Sequence, residues 1–241
     1  MEQYSRLDTV AQSAVQIDLV RVLDDAAALT GLDRSSWARQ PQGDQEFAVL
    51  PEGVPEATVL GPFVRALASR LAALNAGRVP GDRMRLRLAV DFGVVADAPL
   101  GHAGPAPVSV ARYVNASQLK AVLAAIESAH LAVIVSDRLY QDVVRLGHRE
   151  LDPGQYVRAH IEIKEFAGYG WIHVPGHSRD ELSGHVTGKI APAVSATPRV
   201  TGSSAVSQCV QAGVAVGRDV RGGLTVGIPV PTPPPGPGYD W

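Results

Sequence analysis

Several short runs in this sequence join residues that can do chemistry to positions that could present them. In "RQPQGDQEFAVLP" (39–51), Gly43-Asp44 marks a turn between two short strands, and an aspartate at a hairpin tip either holds a metal ion or makes the turn itself. In "RMRLRLAVDFGVV", Arg83, Arg85 and Arg87 alternate with Met84, Leu86 and Leu88. That alternation describes a strand with one buried face, and its arginine row is either a phosphate-binding strip or a solvated surface, the second being favoured. The seven histidines are scattered along the chain, and none is assigned to a metal site. His160 and His173 fall on facing strands of one hairpin and read as structural. "GHAGPAP" near Gly101 lacks the Gly-Lys-Ser/Thr of a phosphate loop and reads as a flexible connection, and Ser136-Asp137 reads as a helix cap.

The elements that must position these residues follow from periodicity. Asp8 or Thr9 caps a helix ending at Leu29, with Val15, Leu19, Val22, Leu23 and Ala26 as its apolar stripe and Gly31 behind it. The two strands around Gly43-Asp44 follow, then a helix over 55–74 carrying Val59, Phe63, Val64, Leu67 and Leu71. After the arginine strand, "NASQLKAVLAAIESA" is helical, "LAVIVSD" is a buried strand and "DRLYQDVVRLG" is a short helix. "YVRAHIEIKEF" and "GWIHVPG" form a hairpin around Gly168 to Gly170. The order is α+β, with a mixed or antiparallel sheet and helices packed on one side.

Composition sets the outer bounds. The chain has 241 residues, 22 basic and 24 acidic side chains and a formal charge of −2, which gives no electrostatic footprint for nucleic acid. Cys209 is the single cysteine, so an internal disulfide and a cysteine metal cluster are excluded, and a cytoplasmic, membrane-free setting is the expectation. Charge thins beyond Gly176, where Ser, Thr, Gly, Val and Pro take over. The division expected is a folded unit over 1–176 and a low-complexity, largely disordered tail over 177–241.

The element order over about residues 4–175 resembles the class III adenylate/guanylate cyclase domain, in particular its divergent actinobacterial forms, on "QGDQEFAVLP", "MRLRLAVDFGVV", "PVSVAR", "LAVIVSDRLYQDVV" and a lysine-bearing last hairpin. The resemblance implies a ferredoxin-like cyclase fold. In an active member, two aspartates hold two metal ions on a nucleoside triphosphate, because a divalent ion wants several oxygen ligands and two ions clamp both reacting oxygens. Asp44 matches the hairpin aspartate, Arg112 the helix arginine, and Lys164 in the closing strand the phosphate-contacting lysine. Val108 stands where the family has asparagine and Gln40 where it has the purine-reading lysine. The second metal aspartate would precede Tyr4-Ser5 and fall before Met1, and with it the central first strand. A sheet lacking that strand has two unpaired edges, to be filled by residues upstream of Met1 or by a partner.

Within the tail, "SAVSQCVQAGVAVGRDVRGGLTVGIPV" is β-prone, nearly uncharged and without a helical stripe. It is a linker, a pair of ordinary strands or a cross-β segment. Val210, Gln211, Ala212 and Gly213 resemble the Val/Ile-Gln-x-Gly core of homotypic amyloid motifs known from necroptosis adaptors and bacterial amyloid signalling proteins. In such a core β-branched residues interdigitate, glutamine forms amide ladders and glycine permits a tight turn. The resemblances together imply a non-catalytic signalling or regulatory protein, in bacterial signalling or defence. It would dimerise or bind nucleotide, need no cofactor and recruit partners sharing the tail motif. An active cyclase using Mg2+ or Mn2+ with Asp44, Arg112 and Lys164 is the alternative, and a scaffold with a disordered tail is the second.

Overall fold

The carboxylate of Asp8 accepts a hydrogen bond from the Ala11 amide at 2.8 Å and so opens α1 (Thr9–Leu29). The helix closes into Gly31, whose φ of +71° suits glycine, and its buried stripe is Leu19, Val22, Leu23, Ala26 and Ala27. The structure, a computed structural model, describes residues 7–147, 151–186 and 214–218.

Gly43-Asp44 makes the tight turn that its spacing predicts. It joins β1 (Ala38–Gln42) to β2 (Gln45–Leu50), with Gln42 directly opposite Gln45. Gly43 has φ +61° while Asp44 keeps a negative φ, the pattern of a type II′ hairpin. The next helix, α2 (Glu56–Asn75), contains Pro62, which offers no N–H to the helix ladder; residues Val59–Phe63 widen into a π turn there before regular helix resumes at Val64. Among the described residues α2 is the one helix long and apolar enough to cross a membrane. Its Val59, Leu60, Phe63, Val64, Leu67 and Leu71 are instead packed into the core.

The rest of the chain supplies β3 (Leu86–Phe92), the small hairpin β4 (Ala96–Ala98) and β5 (Gly101–Ala103), α3 (Pro105–Val114) and α4 (Ser117–Ala125). β6 (Leu131–Ser136) leads into α5, which starts as Asp137–Leu139 and continues as a π turn over Tyr140–Val144. β7 (Val157–Ile163), β8 (Phe166–His173), α6 (Arg179–Ser183) and β9 (Val214–Arg218) complete it. Among the described residues the main sheet has seven strands, in the order β1-β2-β9-β3-β6-β8-β7. β2, β9, β3 and β6 are mutually parallel, and the outer hairpins are antiparallel. The α+β class with a mixed sheet is therefore what the chain adopts.

Four expectations need correction. Helices cover both faces of the sheet rather than one. Leu88, Val90, Leu131, Val133 and Val135 face α1 and α2, while Ala89, Ala132, Ile134, Ile161 and Ile172 face α3 and α4. A parallel pair with both faces covered reads as a continuous apolar run, which is why β6 is buried at every position. Next, the arginines of the third strand form no wet row. The Arg85 guanidinium donates to the carbonyls of Ala129 (2.9 Å), Ile126 (2.8 Å) and Leu123, and Arg87 donates to Val114 O at 3.0 Å. These carbonyls lie at the C-terminal ends of α4 and α3, where helical C=O groups lack intrahelical partners and favour a cation. Third, the last hairpin turns at Lys164-Glu165, with Ile163 opposite Phe166. Lys164 is thus a turn residue at φ +54°, not a strand residue. Gly168 and Gly170 lie within β8 because a Cβ on Gly170 would meet Ile134 Cδ1 at 2.7 Å and Tyr113 Cε1 at 3.1 Å. Fourth, "GHAGPAP" is not a plain connection, since Gly101–Ala103 pairs with Ala96–Ala98.

The gap expected between the β1-β2 hairpin and β3 is filled by the chain itself. β9 lies there, with Phe47 to Leu50 opposite Ala215 to Arg218 on one side and Leu88 to Phe92 opposite Val214 to Arg218 on the other. This short piece of the β-prone tail is an ordinary strand of the main sheet. Val210, Gln211, Ala212 and Gly213 lie outside the described residues, as does most of the tail.

Candidate functional site

The candidate residues are best located along the strand direction. Asp44 precedes Gln45 at the start of β2, level with the N-terminal end of β3. Lys164 follows Ile163 beyond the end of β7, five positions past the level where Ser136 pairs with Gly170. Following the registers across the sheet, Asp44 and Lys164 are about ten residue levels apart, on the order of 30 Å. Arg112 joins Lys164 rather than Asp44. Half-buried on α3, it donates from Nη1 to Ile163 O at 2.6 Å, which pins the end of β7 to the helix. Within one chain the structure brings Arg112 and Lys164 together and leaves Asp44 at the other end.

The two-metal arrangement does not fit the surroundings of Asp44. Glu46, the neighbouring carboxylate in sequence, is buried and turned away, accepting from Arg34 Nη1 at 2.6 Å and Nη2 at 3.2 Å. The adjacent strand β9 is Val-Ala-Val-Gly-Arg and brings no carboxylate, and Asp219 beyond it lies outside the described residues. No group of three or more His, Cys, Asp or Glu side chains is placed to hold a metal among the described residues. Gln40 donates from Nε2 to Leu100 O at 3.1 Å, which ties β1 to the β4–β5 hairpin. Val108, at the family's asparagine position, is half exposed on α3. His160 and His173 do not meet: His160 sits opposite Tyr169, and His173 stacks on Tyr156 at 4.9 Å between ring centroids.

A cluster that the motifs did not single out lies at the C-terminal ends of the parallel strands β3 and β6. Asp91, the penultimate residue of β3, accepts from the Phe92 amide at 2.8 Å. Burial pushes its carboxyl above the usual range, opposed by hydrogen bonds from Ser136, Phe92 and Ser109 and by the charge of Arg138. Asp137 opens α5, where Ser136 Oγ caps by accepting from Leu139 N at 3.2 Å. The Asp137 carboxylate accepts from Trp171 Nε1 at 2.8 Å and faces Arg158 at 3.8 Å. Arg158 in turn lies over the Tyr169 ring at 3.7 Å, and Tyr140 stacks on Trp171 at 3.5 Å. Tyr113 donates to Tyr169 O at 3.0 Å; burial pushes its phenol up, and the charges of Asp91 and Asp137 add to the effect.

Chemically this is a joint. Each carboxylate has internal donors, and together they tie β3, β6, β7, β8 and α3. The signal in the sequence was an acidic residue inside the apolar run "LAVDFG", since a carboxylate at the end of a buried strand needs partners from neighbouring elements. A separate groove of about 550 Å³ lies between β2 and the β4–β5 hairpin, lined by Ser36, Leu50, Glu52, Val95, Asp97 and His102 among others. Asp44, Arg112 and Lys164 do not line it. In comparison with known proteins, no protein-family model, curated protein or solved structure matches the chain.

Proposed function

We propose that this chain is a non-catalytic, cyclase-like signalling or regulatory module of the cytoplasm that dimerises or binds a nucleoside triphosphate weakly, and that recruits partners through the Val210–Gly213 motif of its tail. One observation carries the first half of this reading. Where an active cyclase would have a central strand bearing a metal aspartate, the sheet has β9, whose five residues include no acid. The separation of Asp44 from Arg112 and Lys164 supports the same reading, as does the use of Arg112 to hold Ile163 O. A role in bacterial signalling or defence rests on the resemblance of the motifs.

The test is incubation of the purified chain with each of the four nucleoside triphosphates and Mn2+, followed by mass analysis. The expected result is unchanged nucleotide. A cyclic product that disappears in Asp44→Ala would overturn the reading and make Asp44 a metal ligand. For the tail, the expectation is thioflavin-positive fibres from a peptide of residues 200–230 and none after replacement of Gln211 and Gly213. A wild-type peptide that stays monomeric removes the amyloid half.

A further inference from the structure

We propose that β9 is an exchangeable strand, and that a second copy of this chain can supply its own Val214–Arg218 to the slot between β2 and β3. The inference uses only strand order and connectivity, so it stands apart from the cyclase resemblance and from the Val210–Gly213 motif.

β9 is held on both sides by parallel backbone pairing, to Phe47 through Leu50 and to Leu88 through Phe92. Those hydrogen bonds are the same whichever chain provides the strand. No hairpin or short crossover ties β9 to either neighbour: β2 and β3 end at Leu50 and Phe92, and 27 residues separate Val186 from Val214 in the sequence. Only the covalent connection favours the chain's own strand, which makes its pairing intramolecular with an effective concentration on the order of 1 mM or less. When β9 leaves, it exposes two facing edges, each with a row of unpaired backbone groups whose natural occupant is another strand. The chain that has lost its strand also presents that strand, so two copies can satisfy each other. Reciprocal exchange closes as a two-fold dimer, the low-cost route to dimers that swapping provides. Ala215 pairs with Ala89 on one side and with Phe47 on the other, so the register of an exchanged strand is defined on both edges.

The register supplies the test. In full-length chains with Cys209 replaced by serine, Ala89→Cys and Ala215→Cys fall on directly paired residues, within disulfide reach. The double variant should close an intramolecular disulfide at about 10 µM, and the two single variants, mixed and oxidised, should form a mixed disulfide dimer. That dimer should be at least of order one per cent of chains at ~10 µM and about half of them or more near ~1 mM, as that effective concentration requires. Val90→Cys with Val216→Cys, the next pair in register, repeats the measurement if the first pair perturbs folding. A mixed dimer rising with concentration for either pair supports exchange. Intramolecular closure with no mixed dimer up to ~1 mM overturns it, and failure of both double variants to close at all removes β9 from the slot.

Discussion

Replacing Arg34 with leucine should cost about 3–5 kcal/mol, because it strands a buried carboxylate. The Arg34 side chain is 4% exposed and that of Glu46 7%, and the two form a two-pronged contact at 2.6 and 3.2 Å. Asp24, on the other side of Arg34 at 2.6 Å, is 50% exposed and adds less than about 1 kcal/mol. The Trp37 ring lies 5.3 Å from the guanidinium and adds on the order of 0.5–1 kcal/mol. A double-mutant cycle separates these contributions, since the losses at Asp24 and Trp37 occur whenever Arg34 is removed and cancel from the Arg34–Glu46 coupling. Arg34→Leu and Glu46→Leu should each destabilise strongly, the double variant should lie within about 1–2 kcal/mol of the wild type, and the coupling should be about 3 kcal/mol or more. Urea unfolding followed by far-UV circular dichroism measures all four corners. In a chain of this size the single variants should lose on the order of 10 °C of melting temperature. A double variant as unstable as the sum of the singles would refute the argument and make Arg34 a packing residue.

Three other perturbations test other parts of the fold. Arg85→Met should lower stability by about 2–3 kcal/mol by leaving the carbonyls at the end of α4 without donors, and amide exchange should speed up first at the residues following Ala125; unchanged exchange there would show that water replaces the guanidinium. Because burial raises the folded-state pKa of Asp91, the stability it confers is complete below about pH 4 and is lost as pH rises through the folded value. Asp91→Asn should therefore gain on the wild type as pH rises above about 4 in denaturation titrations, and a pH-independent difference would contradict the burial argument. Lys164→Gly should stabilise the chain by about 0.5–1 kcal/mol by relieving φ +54° at the β7–β8 turn, and a loss in thermal unfolding would indicate that the lysine side chain holds the turn.

The local chemistry of the fold was legible where one residue type admits one geometry. Asp8 caps its helix, Gly43 turns its hairpin, and the apolar run of β6 announces a buried strand. Misreadings came where alternation suggested exposure. Arg85 and Arg87 alternate with apolar residues, and only the positions of the α3 and α4 termini reveal that these cations meet backbone carbonyls. The last hairpin was centred on its glycines, yet Gly170 is there for close packing against Ile134 and the turn uses a lysine in the left-handed region. Asp44 could be placed at its hairpin tip from sequence, but its distance from Arg112 and Lys164 depends on strand order across the whole sheet. Likewise nothing local in Val-Ala-Val-Gly-Arg states that it pairs with residues more than a hundred positions earlier.

That last pairing bears on how the protein comes into being. Leu50 and Phe92 emerge from the ribosome long before Arg218, their partner on both sides of β9. At synthesis rates of roughly 5–20 residues per second, the β1–β2 hairpin waits on the order of 10–30 s before its inner neighbour exists. Late in that interval, once His173 has been made, β3, β6, β8 and β7 are all present to pair in that order, while the hairpin still lacks the strand that joins it to them. Closure then needs contacts of very high sequence separation, the kind that slow folding most. The nascent chain is consequently most exposed to edge pairing with its neighbours on a polysome, and a chaperone acting on this protein would have its main task in the seconds before residue 218 is released.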